Sequence, residues 1–270
     1  MAKRTAREQM VIRNRRMLIY TFLLILIFLY AAAKQEMRSG EMPSEAADTD
    51  EFLRDGTEAA EDPGAAGTEA GFVLDQEDMW CLVLTNARYP VPLDYQEDVK
   101  LKEIPESSLQ VDERIWDPLV EMLDEMKDQG LKPVICSGYR TLDKQELLFS
   151  RRQKEYLEKG DSMEEAREQT ERELAVPGSG EHCLGLAVDI SSESHPQLEE
   201  AFGDTPEGLW LREHSWEYGF ILRYDRGKEE ITGINYEPWH FRYVGEKAAE
   251  YLNRTGMCLE EFYIEESLYG

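Results

Sequence analysis

Two histidines and one aspartate in separate segments have the residue types of a metal site. His182 lies in the turn-rich segment PGSGEHCLGLAVDI, and Asp189 follows seven positions later in an apolar stretch typical of a β-strand. A carboxylate among apolar neighbours needs a cation, because an unpaired buried charge is costly. A metal ion would serve. An ion pair could also compensate the Asp189 charge, and His182 would then be an ordinary loop residue. This segment alone leaves both interpretations open.

A second segment, YEPWHFR, favours the metal interpretation. His240 would complete a His/Asp/His set, which leaves the fourth position of a tetrahedral zinc ion open for water, as catalytic sites require. Glu237 lies three positions before His240, close enough to act as the general base. In a regular strand these two side chains would face opposite sides of the sheet. Pro238 is therefore expected to interrupt the strand between them.

A third segment contains Ser137, Gly138, Tyr139 and Arg140, followed by Gln145, where a buried strand meets a helix. The planar guanidinium of Arg140 suits a substrate carboxylate or a developing oxyanion. Taken alone, however, Arg140 is better explained as a surface residue that pairs with one of the many acidic side chains.

Together, and in this order, SGYR-x-x-x-x-Q, EH-x-x-G-x-A-x-D and EPWH-x-R resemble the VanY-type D-alanyl-D-alanine carboxypeptidases. The likeness covers the chain from about residue 82 to its C-terminus. It implies one zinc ion bound by His182, Asp189 and His240, with Glu237 as the catalytic base. It implies that Arg140 binds the substrate and the transition state, and that the substrate is a peptidoglycan stem peptide. Further substrate-binding residues implied by the resemblance are Ser137, Tyr139, Gln145 and Ser179.

One position departs from the family pattern. The family usually has a serine two residues before the first zinc histidine, and here that position is Gly180. Either Ser179 takes over the substrate-binding role of that serine, or the substrate preference has moved toward that of an L,D-carboxypeptidase or an endopeptidase. A metal-bearing binding module without turnover is a further alternative, but such a module has no use for Glu237.

Hydrophobic patterning places these residues in an α+β fold with an antiparallel sheet flanked by helices. The resemblance implies the fold shared by D-Ala-D-Ala metallopeptidases and the hedgehog signalling domain. The predicted helices are Asp112 to Gln129, one that begins after the N-cap Thr141 and runs toward Gly160, Met163 to Leu174, one beginning at Thr205-Pro206, and two short helices at the end of the chain. The predicted strands are Pro133 to Cys136, Leu186 to Ile190, Phe220 to Leu222 and Trp239 to Val244.

Charge and hydropathy divide the 270-residue chain into four parts. A basic tail, 1–16, precedes an uncharged apolar run, 17–33, that predicts a single transmembrane helix with the N-terminus in the cytoplasm. Cleavage after this run, as in a secreted protein, is the alternative. Residues 34–71 form an acidic linker expected to be disordered, and 72–270 form the peptidase domain, expected to be monomeric and extracytoplasmic.

The net charge of −26 excludes a nucleic-acid partner. The four cysteines allow up to two disulfides in three pairings, and thiols that form no disulfide are the default expectation.

Overall fold

The computed structural model describes residues 76–92, 95 and 99–265, all within the compact unit Ala66–Gly270. In this part of the chain, no helix combines the length and the apolar character needed to cross a bilayer. The predicted transmembrane helix, 17–33, and the acidic linker, 34–71, lie outside the described residues.

Helices and strands do not alternate regularly along the described chain. The helices are α1 (Trp116–Asp128), α2 (Leu142–Lys159), α3 (Met163–Glu173), α4 (Pro206–His214), α5 (Glu229–Thr232), α6 (Glu246–Thr255) and α7 (Leu259–Glu265). The strands are β1 (Leu101–Glu103), β2 (Gln110–Asp112), β3 (Pro133–Ser137), β4 (Ala187–Ser192), β5 (Phe220–Leu222) and β6 (His240–Tyr243). Short 3₁₀ helices cover Gln76–Cys81, Glu113–Ile115, Glu181–Leu184, Glu200–Asp204 and Ser215–Tyr218.

The main sheet has the strand order β3-β4-β6-β5, and every neighbouring pair is antiparallel. This confirms the predicted α+β class with an antiparallel sheet. Strands β1 and β2 form a separate antiparallel ribbon, which the sequence did not predict because three-residue strands are too short to show a period of two.

Helix boundaries follow local capping chemistry. Thr141 accepts a hydrogen bond from the Lys144 backbone N–H at the start of α2, and Gly160 ends that helix in the left-handed region with φ +108°. Asp112 caps the 3₁₀ turn before α1 by accepting a hydrogen bond from the Arg114 backbone N–H. The predicted first helix therefore begins as a 3₁₀ turn.

The core lies between the sheet and α1. Ile115 and, on α1, Leu119, Met122 and Met126 form one apolar stripe and are fully buried. Burial of each such side chain contributes about 1.5–3 kcal/mol. On the sheet side, Leu186, Val188 and Ile190 join this core, whereas Ala187 and Asp189 do not. The opposite face of β4 is therefore left to the candidate site. No disulfide joins any of the four described cysteines: Cys81, Cys136, Cys183 and Cys258.

Candidate metal centre

Strand register brings the candidate residues together. Ser137 of β3 is opposite Asp189 of β4, and Asp189 is opposite His240 of β6. Side chains at directly opposed positions lie on one face of a sheet, so these three form a row across adjacent strands. His182 comes from the 3₁₀ helix just before β4. That helix ends at Gly185, whose φ of +74° and close approach to the Asp112 backbone favour glycine.

The metal-ligating atoms of His182, Asp189 and His240 lie within 4.8 Å of one another, and all three residues are buried. Asp189 Oδ1 is 3.2 Å from His182 Nε2 and 3.2 Å from His240 Nδ1. The remaining nitrogen of each ring is engaged elsewhere: His182 Nδ1 is 2.8 Å from the Gly138 carbonyl, and His240 Nε2 is 3.3 Å from Glu181 Oε2. In each ring, the nitrogen that faces Asp189 is therefore available to a metal, while the second nitrogen is held by a hydrogen bond, as is usual for histidine ligands.

The protonation of His182 supports a cation at this point. Burial and the nearby Arg140 lower the pKa of His182 below its ordinary value, so the ring is neutral near pH 7. With the Nδ1 proton donated to Gly138, a lone pair at His182 Nε2 faces the Asp189 oxygen. A cation at this point would be bound by both atoms, and two imidazoles with one carboxylate are a donor set that zinc prefers.

Glu237 lies in the segment just before β6. The chain turns at Pro238 and Trp239, and the strand begins at His240, as expected from the proline. Glu237 Oε2 consequently lies on the ligand side, 3.6 Å from His240 Nδ1. In the metal-free site, burial and the neighbouring Asp189 raise the pKa of Glu237 to about 8, although His240 opposes the shift. A carboxylate held in this way is suited to accept a proton.

The charges of the ligands are strongly coupled. Burial alone would lower the pKa of His240, but hydrogen bonds to Asp189 and Glu181 raise it to about 9 in the metal-free site. Burial alone would raise the pKa of Asp189, but its interactions with His182 and His240 hold it well below the usual range. The Asp189 carboxylate and the His240 ring therefore each favour the charged form of the other.

Arg140 is held by three side chains. Its Nε donates to Ser137 Oγ at 3.0 Å, one terminal nitrogen donates to Gln145 Oε1 at 3.2 Å, and the other donates to Asp189 Oδ2 at 2.8 Å. Gln145 is fixed in turn by a 2.8 Å hydrogen bond to the Ala175 carbonyl. Arg140 thus pairs with a candidate metal ligand and also lines the adjoining cavity.

Three predicted substrate-binding residues do not line this cavity. The Ser137 hydroxyl lies behind Arg140 and accepts its 3.0 Å hydrogen bond. Tyr139 is held by its backbone N–H, which donates to the Gln110 carbonyl at 2.6 Å. The Ser179 hydroxyl donates to the Val176 carbonyl at 2.8 Å, and Ser179 lines a neighbouring cavity. Gly180, in contrast, lines the metal-site cavity. Within the described residues, the Ser179 hydroxyl therefore lies at the neighbouring cavity and outside the metal-site cavity.

The cavity next to the candidate ligands has a volume of about 500 Å³ and extends along one face of α2. Gln145, Leu148 and Arg152 line it at positions i, i+3 and i+7, which lie on one side of a helix. Seven residues of helix span about 10 Å, the length of roughly three residues of extended peptide. Trp239 and Tyr236 contribute to the lining.

The main feature that sequence reasoning missed is a group of buried ionic side chains behind the ligands. Glu181 Oε1 accepts hydrogen bonds from Arg223 at 2.7 Å and from Arg242 at 2.9 Å. Although burial opposes ionisation, these two guanidinium groups hold the pKa of Glu181 well below its usual range. Glu181 and Arg242 occur within the motifs, but no sequence pattern shows that they are buried or that they meet.

Comparison with known proteins places this geometry in a family. The model of the VanY family, described as D-alanyl-D-alanine carboxypeptidase, matches residues 108–246. A D-alanyl-D-alanine carboxypeptidase of Enterococcus faecalis is 38% identical over 208 residues, which cover 77% of this chain and 74% of that protein.

Two solved structures have the same fold. A mutant of the vancomycin-resistance D,D-pentapeptidase VanY, from a VanB-type resistance cassette and in complex with Zn(II), is 39% identical with a TM-score of 0.61, covering 68% of this chain and 98% of that one. The LD-carboxypeptidase LdcB is 34% identical with a TM-score of 0.58, covering 70% of this chain and 87% of that one. The zinc complex and the His/Asp/His group support the predicted cofactor. The chain belongs to the VanY family of D-alanyl-D-alanine carboxypeptidases.

Proposed function

We propose that this protein is a zinc-dependent D,D-carboxypeptidase that hydrolyses the terminal D-alanine from peptidoglycan stem peptides. The observation that carries the proposal is the convergence of His182 Nε2, Asp189 Oδ1 and His240 Nδ1 beside the Glu237 carboxylate. A binding module would need the three metal ligands but would have no need of the Glu237 carboxylate. Family membership and the zinc complex of a relative support the same reaction.

In this proposal, His182, Asp189 and His240 hold the zinc ion, which would activate a water molecule and polarise the scissile carbonyl. The Glu237 carboxylate accepts the proton of the attacking water and returns it to the amine of the leaving D-alanine. Binding in the cavity along α2 orients the upstream residues of the stem peptide and displaces water from the reacting bond.

Arg140 is proposed to bind the negative charge of the substrate, as its terminal carboxylate or as the developing oxyanion. Its bonds to Ser137, Gln145 and Asp189 fix the guanidinium plane at the cavity wall. Each terminal nitrogen of a guanidinium carries two N–H groups, and each of these nitrogens donates one hydrogen bond to the protein. One donor on each terminal nitrogen is therefore available to the substrate without loss of the bonds that hold Arg140.

An L,D-carboxypeptidase is the second candidate, and Gly180 is the observation that favours it. The side chain that the family usually has at this position is absent, and the Ser179 hydroxyl is bonded to Val176 outside the cavity. The similarity to LdcB is consistent with this alternative.

Mass spectrometry of three peptides separates these possibilities. A D,D-carboxypeptidase removes one residue from a pentapeptide that ends in D-Ala-D-Ala, and amidation of its terminal carboxylate should slow the reaction by at least about thirtyfold because the bond to Arg140 is weakened. Faster cleavage of the tetrapeptide would support the L,D enzyme. Equal rates on the acid and the amide would support an endopeptidase.

We also propose that residues 17–33 anchor the chain in the cell membrane with the peptidase domain outside. The support is the uncharged apolar run that follows a basic tail. Protease added to intact cells should digest the peptidase domain, which should fractionate with the membrane. Recovery from the cytosol would contradict this location, and recovery from the medium would indicate cleavage after the apolar run.

A further inference from the structure

A series of buried ion pairs connects the candidate metal site to the C-terminal helix α7. Glu181 precedes His182 in sequence but contacts the other histidine, with Oε2 3.3 Å from His240 Nε2. Its second oxygen accepts the 2.7 Å hydrogen bond from Arg223 Nε. The side chains of Glu181 and Arg223 are fully inaccessible to solvent.

The next ion pair reaches α7. The two terminal nitrogens of Arg223 donate to the two carboxylate oxygens of Glu260 at 2.8 and 2.7 Å. Asn86 donates to the same carboxylate at 3.1 Å. One guanidinium group thus bridges a carboxylate that contacts a candidate metal ligand and a carboxylate on α7. We call Glu181, Arg223 and Glu260 the ion-pair chain.

The packing of α7 does not require these charges. Leu259 and Phe262 are fully buried in the hydrophobic core and Tyr263 is largely buried, so the helix already has an apolar face. Buried ion pairs add little stability compared with apolar residues of similar volume, whereas loss of one member leaves an uncompensated charge. A role beyond attachment of the helix therefore accounts better for this arrangement.

The contact with His240 indicates that role. A carboxylate that accepts the Nε2 proton fixes the imidazole tautomer and orients Nδ1 toward the metal, and loss of such partners commonly weakens metal binding about 10- to 100-fold. Arg223 and Arg242 both hold the other oxygen of Glu181, and Glu260 in turn holds Arg223. Each member therefore restricts the next.

We propose that the ion-pair chain couples the docking of α7 to zinc affinity, with Glu260 acting as a positioning residue for His240 through Arg223 and Glu181. The inference rests on the proposed zinc site and adds a determinant of its affinity outside the ligand set. Coupling between two sites is reciprocal, so zinc should also stabilise α7.

Glu260→Gln tests the proposal, because it removes the charge of Glu260 while keeping its shape. The matched control is Glu261→Gln, the next residue on α7, whose 2.6 Å ion pair with Lys228 does not involve the ion-pair chain. Zinc affinity of the purified full-length chain is measured by competition with a chelator. Glu260→Gln should weaken binding by about tenfold or more, while Glu261→Gln should stay within about twofold. Equal affinities in the two variants would overturn the proposal.

A second variant and a second readout cover the case in which Glu260→Gln does not fold. Arg223→Lys keeps the positive charge but cannot bridge both carboxylates, so it should show the same loss of affinity; unchanged affinity would contradict the coupling. Hydrogen exchange in α7 of the wild-type chain should slow on zinc addition, and an unchanged rate would also contradict it. Absence of zinc binding by the wild type would instead refute the proposed function, which keeps the two failures distinct.

Discussion

Replacement of Glu237 by glutamine should remove turnover and, at the same time, stabilise the metal-free fold. The amide has nearly the same shape, so the backbone hydrogen bonds of residue 237 with Tyr224 and His240 are kept, but it cannot accept a proton from water. Loss of a general base costs about 10²- to 10⁴-fold in rate, which corresponds to about 3–5 kcal/mol of transition-state stabilisation. Zinc should remain bound, because Glu237 is not among the proposed ligands.

The effect on stability follows from the pKa of Glu237, which burial raises from 4.5 to about 8 in the metal-free site. The folded state therefore favours the neutral carboxyl group. Its contribution to the free energy of unfolding is full below pH 4.5 and is lost as pH rises through about 8. A shift of this size corresponds to on the order of 5 kcal/mol. Glutamine cannot ionise, so the variant escapes this loss.

Thermal unfolding in the presence of a chelator measures the difference. Near pH 8.5 the melting temperature of Glu237→Gln should exceed that of the wild type by roughly 10 °C, since 1 kcal/mol shifts a domain of this size by about 2–4 °C. Near pH 4.5 the two proteins should melt together. Near-normal turnover in the variant would exclude Glu237 as the general base, and equal stability of the two proteins at the higher pH would contradict the raised pKa of Glu237.

Further predictions concern the ligands, the protons and position 180. His182→Ala, Asp189→Ala and His240→Ala should each lose zinc in elemental analysis; stoichiometric zinc in any one would remove that residue from the ligand set. Zinc affinity should rise from about pH 6 to about pH 9, because zinc displaces a proton from His240, whose pKa is about 9 in the metal-free site. Calorimetry in buffers of different ionisation enthalpy should detect this proton, and zero release would contradict the assignment. Gly180→Ser should fold normally, because the atoms nearest an added Cβ are Gln145 Cδ at 3.4 Å and Ala175 Cβ at 3.5 Å. If a hydroxyl at position 180 determines substrate specificity, Gly180→Ser should raise the rate of cleavage of the pentapeptide relative to the tetrapeptide. An unchanged ratio of the two rates would exclude this role for position 180.

Helices and strands that are determined by neighbouring residues, through capping or hydrophobic periodicity, were predictable from the sequence. Thr141 and Gly160 mark the ends of α2 because capping depends on residues within one helical turn. The apolar stripe of α1 and the alternation in β4 follow from the periodicities of helix and strand. The candidate ligands were found because the family motif fixes their types and spacing, and the register of β4 and β6 then explains why Asp189 and His240 meet.

Contacts between distant segments were not predictable. The sequence placed Arg140 near the substrate, but its ion pair with Asp189 depends on how the turn after β3 packs against β4. Glu181 is adjacent to His182, yet it contacts His240, fifty-nine positions away. Ser179 was a reasonable substitute for the missing serine by sequence distance, but its hydroxyl is directed by the local turn to the Val176 carbonyl. A serine one position earlier in the chain therefore has its side chain outside the cavity that position 180 lines.

Zinc held by His182, Asp189 and His240 is proposed to make this chain a carboxypeptidase of stem peptides. The most direct test titrates zinc into chelator-treated full-length protein while D-alanine release from a D-Ala-D-Ala pentapeptide is followed. Release should be absent without zinc and should rise to a plateau at about one zinc per chain. Undiminished release from the zinc-free protein, or no release at any zinc concentration from a folded protein, would contradict the claim.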